Sequence, residues 1–262
     1  MQILSDLHLE VPNAYDVFHI EPKAPYLALV GDIGYAKDDG FFRFLRKQLE
    51  EFRIVFLVLG NHEPYYSSWT EAKTKIKRFE SGLAPLPSGK PLGQFVFLDK
   101  ARHDISSTLS ILGCTLFSQV AHEQEDSVSF GLNDNYYIDD WSVEAHQEAH
   151  RADLDWLNNE IDSISRFEPN RKVVVLTHYC PLISKDVVDP QHAGSKISSA
   201  FMSDLSSEPC WNRGVVKLWA FGHTHFNCDF RDSVDGKRVI SNQRGYYFSQ
   251  AANFDGTKIV DI

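Results

Sequence analysis

The sequence predicts an α/β fold, a buried sheet interleaved with amphipathic helices. Three observations predict it. Short apolar runs rich in β-branched and aromatic residues recur along the chain, amphipathic stretches of helical period separate several of them, and run after run stops at a glycine or a metal-capable polar residue. The most telling run, residues 53–59, is almost wholly apolar and ends abruptly at Gly60-Asn61-His62-Glu63. Such a run reads as a strand buried on both faces, although a short apolar run alone does not exclude a buried helix.

In chain order, residues 1–5 form a short extended segment that runs into Asp6-Leu7-His8. Residues two apart share a strand face, so Asp6 and His8 can converge, although a lone D-x-H is a weak signal. Residues 26–30 are a second apolar run, ending at Gly31-Asp32. Phe41, Leu45, Leu49 and Phe52 then recur at helical spacing, opposite Arg43, Lys47, Glu50 and Glu51. Ser68 with Glu71 has the form of a capping box and opens a helix with Trp69, Ala72, Ile76 and Phe79 on its buried stripe; Gly82 is its stop.

Residues 85–93, with Pro85, Pro87, Gly89 and Pro91, read as a surface loop. Strand candidates at 95–98 and 109–117 follow without an intervening helix, which predicts adjacent antiparallel pairing and hence a mixed sheet. Residues 118–140 are polar and acidic and read as a long surface excursion, of the kind that serves as a lid or binding loop or is disordered. A helix from about 142 to 166 carries Leu154, Leu157, Ile161 and Ile164 inward. It also carries His146 and His150, but the string His-Gln-Glu-Ala-His lacks the zinc-protease glutamate after the first histidine, so both are expected on the helix surface. Residues 172–177 form a buried strand ending at His178, and 215–221 another ending at Gly222-His223-Thr224-His225; 238–241 and 258–262 are further strand candidates.

At 262 residues, 43% hydrophobic, the chain suffices for one substantial core, and a single domain over 1–262 with an excursion at about 118–141 is expected. A formal charge of −10 argues against a sequence-independent nucleic-acid binder. It does not exclude a small anionic substrate, because bound metal reverses the local field. Cys114, Cys180, Cys210 and Cys228 form no C-x-x-C pair and read as reduced thiols. With no membrane-length apolar run and no charged, apolar leader, a cytoplasmic location is expected. A cleaved presequence would remove Asp6 and His8.

Together the strand ends supply Asp6, His8, Asp32, Asn61, His62, His178, His223 and His225. Folding does not require imidazoles and carboxylates there, and burying them unpaired costs free energy. A shared metal explains the collection, and oxygen and imidazole donors without thiolate favour manganese, iron, zinc or magnesium. The set is too large for one tetrahedral ion and suits two ions sharing a carboxylate, roughly 3.5–4 Å apart, as in phosphate ester hydrolysis.

The ordered series Asp6-x-His8, Gly31-Asp32, Gly60-Asn61-His62-Glu63, His178 and Gly222-His223-x-His225 resembles the calcineurin-like metallophosphoesterase superfamily, with all blocks in the family order across nearly the whole chain. The resemblance implies a four-layer αββα sandwich of two mixed sheets flanked by helices, with the metal site at the carboxyl ends of strands. It implies one divalent ion on Asp6, His8, Asp32 and His225 and another on Asp32, Asn61, His178 and His223, with Asp32 and a hydroxide bridging them. It gives His62 contact with the phosphate and a role in protonating or otherwise stabilising the departing oxygen. Glu63 stands where many relatives have aspartate and is expected to orient His62; the very short first strand suggests a loosely held first ion. The activity implied is in-line hydrolysis of phosphate esters, with small nucleotide-like or cyclic phosphodiesters as leading substrates. The alternatives are a phosphomonoesterase or protein phosphatase, and a non-catalytic scaffold. Asn135, Tyr136, Tyr137 and the loop around His192 are candidate specificity elements.

Overall fold

Alternation of side chains along parallel strands generates the layers. In the computed structural model, which describes residues 1–85, 91–192 and 194–262, the amino-terminal half contributes β1 (Gln2–Leu4), β2 (Tyr26–Val30), α1 (Asp39–Glu51), β3 (Ile54–Val58), α2 (Trp69–Ser81) and β4 (Gln94–Phe97). Its strands form one sheet in the order β1-β2-β3-β4, parallel in every ladder. A second sheet takes β5 (Ala101–Ser106), β6 (Leu109–Cys114), β7 (Lys172–Thr177), β8 (Val216–Phe221), β9 (Cys228–Arg231) and β10 (Arg238–Ser241) in the order β5-β6-β7-β8-β10-β9. There β6 to β10 run parallel through β7 and β8, and the two edge strands run antiparallel.

Ala28, Val30, Phe56 and Val58 point from the first sheet into a shared core with Ile111, Val174, Leu176, Leu218 and Ala220 of the second. Their neighbours Leu27, Leu29, Val55 and Leu57 face outward onto Phe41, Leu45 and Ile76 of α1 and α2. On the far side, Leu112, Val173, Val175 and Trp219 pack against Leu157, Ile161 and Ile164 of α5 (Val143–Phe167). The result is helix, sheet, sheet, helix, because the central strands are apolar on both faces. Ser68 caps α2 through the Glu71 amide and Ser142 caps α5 through the Ala145 amide.

Several expectations are corrected. The runs at 95–98 and 109–117 do not pair: β4 closes a β3-α2-β4 crossover in the first sheet, while β6 belongs to the second and pairs antiparallel with β5. The polar β5 is an edge strand, where charge is tolerated and the apolar signal fades. The run at 109–117 leaves strand geometry after Cys114. In the first sheet antiparallel pairing is confined to a bridge between Gln2 and Ile259, so 258–262 forms no strand of its own. The excursion at 118–140 is largely helical, with a 3₁₀ turn at His122–Gln124 followed by α3 (Glu125–Gly131) and α4 (Asp134–Tyr137). Val128 and Leu132 anchor it against Val143 and Ala200. His146 and His150 are buried, not surface groups: His146 Nε2 accepts from the Ser118 amide (3.1 Å) and His150 Nδ1 donates to Leu116 O (2.9 Å). Burial holds the His146 ring near about 3. The loop expected at 85–93 falls mostly on 86–90, outside the described residues.

A short helix α6 (Pro209–Asn212) precedes β8, and a two-stranded ribbon, β11 (Gly245–Tyr246) with β12 (Ser249–Gln250), follows β10. Among the described residues no helix is long and apolar enough to cross a membrane.

The β9–β10 edge is tied by Asp229, which accepts from Arg238 Nε and Nη2 (both 2.8 Å) and lies 2.7 Å from Lys258 Nζ. The hydrogen bond from Arg238 is the main cause that lowers its carboxyl to about 2 from 3.8. A depressed folded pKa stabilises above the unfolded value and is lost as pH falls through the folded one. Asp229→Asn should therefore cost up to about 1 kcal/mol in urea unfolding at neutral pH. That difference from wild type should shrink as pH drops from about 4 towards 2.

Candidate metal centre

Because β1, β2, β3, β7 and β8 run in parallel within their sheets, their carboxyl ends gather at one rim. Asp6 follows β1, Asp32 follows β2, Asn61 and His62 follow β3, His178 follows β7, and His223 and His225 follow β8. At this rim the backbone turns back sharply. Asp6 (φ 52), His8 (φ 46), Asp32 (φ 53), His223 (φ 70) and His225 (φ 48) all occupy the left-handed region. That region costs a non-glycine residue about 1–2 kcal/mol and persists only where surroundings over-determine it. Two neighbours have to be glycine: a Cβ on Gly31 (φ +84) would lie 2.2 Å from His178 Nδ1, and one on Gly60 would lie 2.2 Å from Asp32 Oδ1.

Asp32 is the hub. Its Oδ1 accepts from the His62 amide (2.8 Å), while Oδ2 lies 3.5 Å from His178 Nε2 and 3.9 Å from Nε2 of both His8 and His62. His178 Nδ1 donates to Val30 O (3.0 Å), which turns Nε2 inward, 3.2 Å from Asn61 Oδ1. Asp6 accepts from the His223 amide at both oxygens (3.1 Å) and from the Ser5 hydroxyl, and its Oδ1 lies 3.3 Å from His225 Nε2. The short first strand thus leaves Asp6 well anchored. Among the described residues three groups could hold an ion: Asp6 with His8 and His225, His8 with Asp32 and His62, and Asp32 with His178 and His223.

Two observations test whether metal fits. Among the described residues, buried His223 Nε2 finds no hydrogen-bond partner. His8 Nε2 and His225 Nε2 lie 3.0 Å apart, two ring nitrogens that repel unless a proton or cation lies between them. A cation at His8 and His225 and another at His223 would satisfy these nitrogens, so the donor set fits divalent metal.

Electrostatics agree. Burial would raise Asp32, but His178 and His62 outweigh it and hold the carboxyl well below its usual range. Burial would lower His178 and His62; Asp32 pushes them up instead, to about 10 and about 9, with Glu10 also raising His62.

Four contributors escaped the sequence reading. Glu10 Oε1 lies 3.1 Å from both His8 Nδ1 and His62 Nδ1, so one carboxylate orients both rings with Nε2 inward. Burial opposes its charge, yet the two imidazoles hold it at about 2. The signal was present, since Asp6-x-His8-x-Glu10 extends the alternation. Asp134 Oδ1 accepts from Asn61 Nδ2 (2.8 Å) and the Tyr65 hydroxyl (2.7 Å), which leaves Asn61 Oδ1 aimed into the site. Tyr65 stacks on His62, ring centroids 4.3 Å apart. Tyr246 covers His8 at 4.3 Å, with its hydroxyl 3.4 Å from His62 Nε2.

Glu63 does not orient His62. It accepts from the Gly60, Ile33 and Asp32 amides (2.7, 2.8 and 3.1 Å), fastening two strand-end turns together. Burial and the Asp32 charge push it up to about 8. Nor do Asn135 and Tyr136 reach the site: they bond to Val128 O, Ser129 O and Phe130 O. Tyr137 packs on Tyr65 and Tyr66. The centre opens into a cavity of about 330 Å³, whose lining includes Asp32, Asn61, His62, His223, His225 and, as expected from its loop, His192.

The family description "Calcineurin-like phosphoesterase" matches residues 3–227. The chain is 28% identical over 280 residues to the uncharacterized protein L509 of Acanthamoeba polyphaga mimivirus, covering 100% of this chain and 96% of that one. Among solved structures it resembles the phosphopantetheinyl hydrolase (PptH) of Mycobacterium tuberculosis, with TM-score 0.63 and 13% identity over 94% of this chain and 89% of that one. At that identity the likeness concerns the fold.

Asp134→Ala frees the Asn61 amide to rotate. Calorimetric titration of metal-stripped protein with Mn²⁺ should show affinity reduced about 10–100-fold, as for other residues that orient ligands. Asp134→Asn, which can still accept through its amide oxygen, should lose less. Wild-type affinity in Asp134→Ala would show that Asn61 needs no such support.

Proposed function

Because the chain belongs to the calcineurin-like phosphoesterase family, we propose that its metal-dependent hydrolysis of phosphate esters is directed at small phosphodiesters, nucleotide-like or cyclic. Two divalent ions, manganese, iron, zinc or magnesium, are assigned to Asp6, His8, Asp32 and His225 and to Asp32, Asn61, His178 and His223. Bound there, they would polarise the phosphoryl oxygens and make a water nucleophilic near neutral pH.

Charge supports the diester reading. Among the described residues that line the cavity there is no lysine or arginine, hence none of the bidentate clamps that suit the terminal oxygens of a monoester dianion. Two dications set against Asp6, Asp32 and a hydroxide leave about one positive charge, which matches a diester monoanion. Glu10 accepts from His62 Nδ1, and Asp32 together with Glu10 pushes the ring up to about 9, so the imidazolium carries a second proton at Nε2; this placement suits delivery of that proton to the departing oxygen. Tyr65, stacked on the ring, keeps it in that orientation. Four unpaired thiols, Cys114, Cys180, Cys210 and Cys228, accord with a cytoplasmic location.

With Mn²⁺ the protein should hydrolyse bis-p-nitrophenyl phosphate faster than p-nitrophenyl phosphate. The opposite order establishes a phosphomonoesterase, and inertness towards both leaves a binding scaffold. His62→Ala should keep its metal by elemental analysis while kcat falls about 10²–10⁴-fold; an unchanged kcat removes His62 from the chemistry. Asp32→Ala should lose both ions, and retention of two would contradict a bridging carboxylate.

A further inference from the structure

The cavity has a second wall. Opposite the imidazoles and carboxylates stand Leu132, Val188, Ile197, Phe201 and Met202. Leu132 lies between α3 and α4, and the other four come from the segment that follows β7. Leu132 and Met202 are buried, and Phe201 lies flat on the His223 ring, centroids 4.7 Å apart at 21°. This apolar wall therefore begins directly at a metal-capable side chain. The fit at its back is tight, since a Cβ on Gly131 would stand 3.3 Å from Ile197 Cγ2.

Two of the hydroxyls at the rim are already engaged, while Asn133 and the exposed His192 also border the cavity. Ser198 Oγ accepts from Gln124 Nε2 (3.3 Å) and Thr224 Oγ1 from Gln243 Nε2 (3.0 Å). The nearby cation Arg244 donates to Leu7 O (2.9 Å) and lies over the Phe18 ring, away from the lining. A charged substituent set against the Leu132, Val188, Ile197, Phe201 and Met202 side chains would be desolvated by hydrocarbon, and among the described lining residues there is no lysine or arginine to meet it, so it would cost several kcal/mol. An apolar one gains the transfer free energy of its surface.

We infer that the chamber is a subsite for an uncharged, apolar alcohol of the ester, an alkyl chain or aromatic ring, held against Leu132, Val188, Ile197, Phe201 and Met202 while the phosphoryl group lies at Asp32 and the imidazoles. The inference rests on the diester reading and narrows it. Diesters that carry a second phosphate or a carboxylate are excluded, and a nucleoside is accepted through the flat face of its base.

The test measures binding and turnover separately. Full-length protein loaded with Mn²⁺ is titrated calorimetrically with methyl-, propyl- and pentylphosphonate and with the carboxylate-terminated analogue of the pentyl compound. Affinity should rise about fourfold per added methylene, and the carboxylate should bind no better than methylphosphonate. In Ile197→Lys, at a half-buried position, the chain-length dependence should flatten and the carboxylate should gain at least about tenfold. Equal affinity for methyl- and pentylphosphonate, or wild-type preference for the carboxylate, overturns the inference. In parallel, kcat/KM is compared for methyl and pentyl p-nitrophenyl phosphate. Turnover of both with no gain for pentyl defeats the subsite and leaves the diesterase reading standing. Absence of turnover defeats the diesterase reading, while the phosphonate series still decides the subsite.

Discussion

Everything at the rim answers to the Asp32 carboxylate. One oxygen closes the turn after β3 by accepting the His62 amide, and the other faces imidazoles from both sheets. A carboxylate used from several sides leaves no room for neighbouring side chains, which is why glycine precedes it and why glycine stands at position 60. It also concentrates negative charge: Asp6, Glu10 and Asp134 are buried or nearly so around it, in a chain of formal charge −10. Imidazoles and backbone amides offset part of that charge. The remainder is the electrostatic reason that cations belong here.

A second regularity is that most of the inward atoms are set by an outward contact. Val30 O fixes His178, Glu10 fixes His8 and His62 together, Asp134 fixes Asn61, and the His223 amide fixes Asp6. Strained left-handed residues at the same places are tolerable only because these contacts hold them. The arrangement is one of preorganisation, since the orienting contacts exist independently of any ligand.

How much of this was legible in the sequence follows from range. The doubly apolar strands and the blocks Asp6-x-His8, Gly31-Asp32, Gly60-Asn61-His62, His178 and His223-x-His225 could be read because such polar groups have no folding reason to end buried strands. The polar β5 could not be read, since an edge strand needs little apolar content. The short helices at 125–131 and 134–137 draw their stability from tertiary anchors such as Val128 and Leu132, so local composition suggested only an acidic loop. The grip of Asp134 on Asn61 spans 73 positions, and no local pattern announces so distant a partner. Glu63 was assigned by adjacency to His62, whereas its donors are backbone amides.

Leu132 and Asp134 lie two positions apart on one tight turn, the first bordering the cavity wall and the second gripping the Asn61 amide. A ligand that settles that turn also settles the group that aims Asn61. Thermodynamic reciprocity then requires metal to strengthen the ligand by the same factor by which the ligand strengthens metal. If the proposed subsite and metal centre hold, choice of ester and retention of metal would be coupled variables in this chain. A lineage that remodels residues 132–134 to accept a different alcohol would shift its metal requirement in the same step.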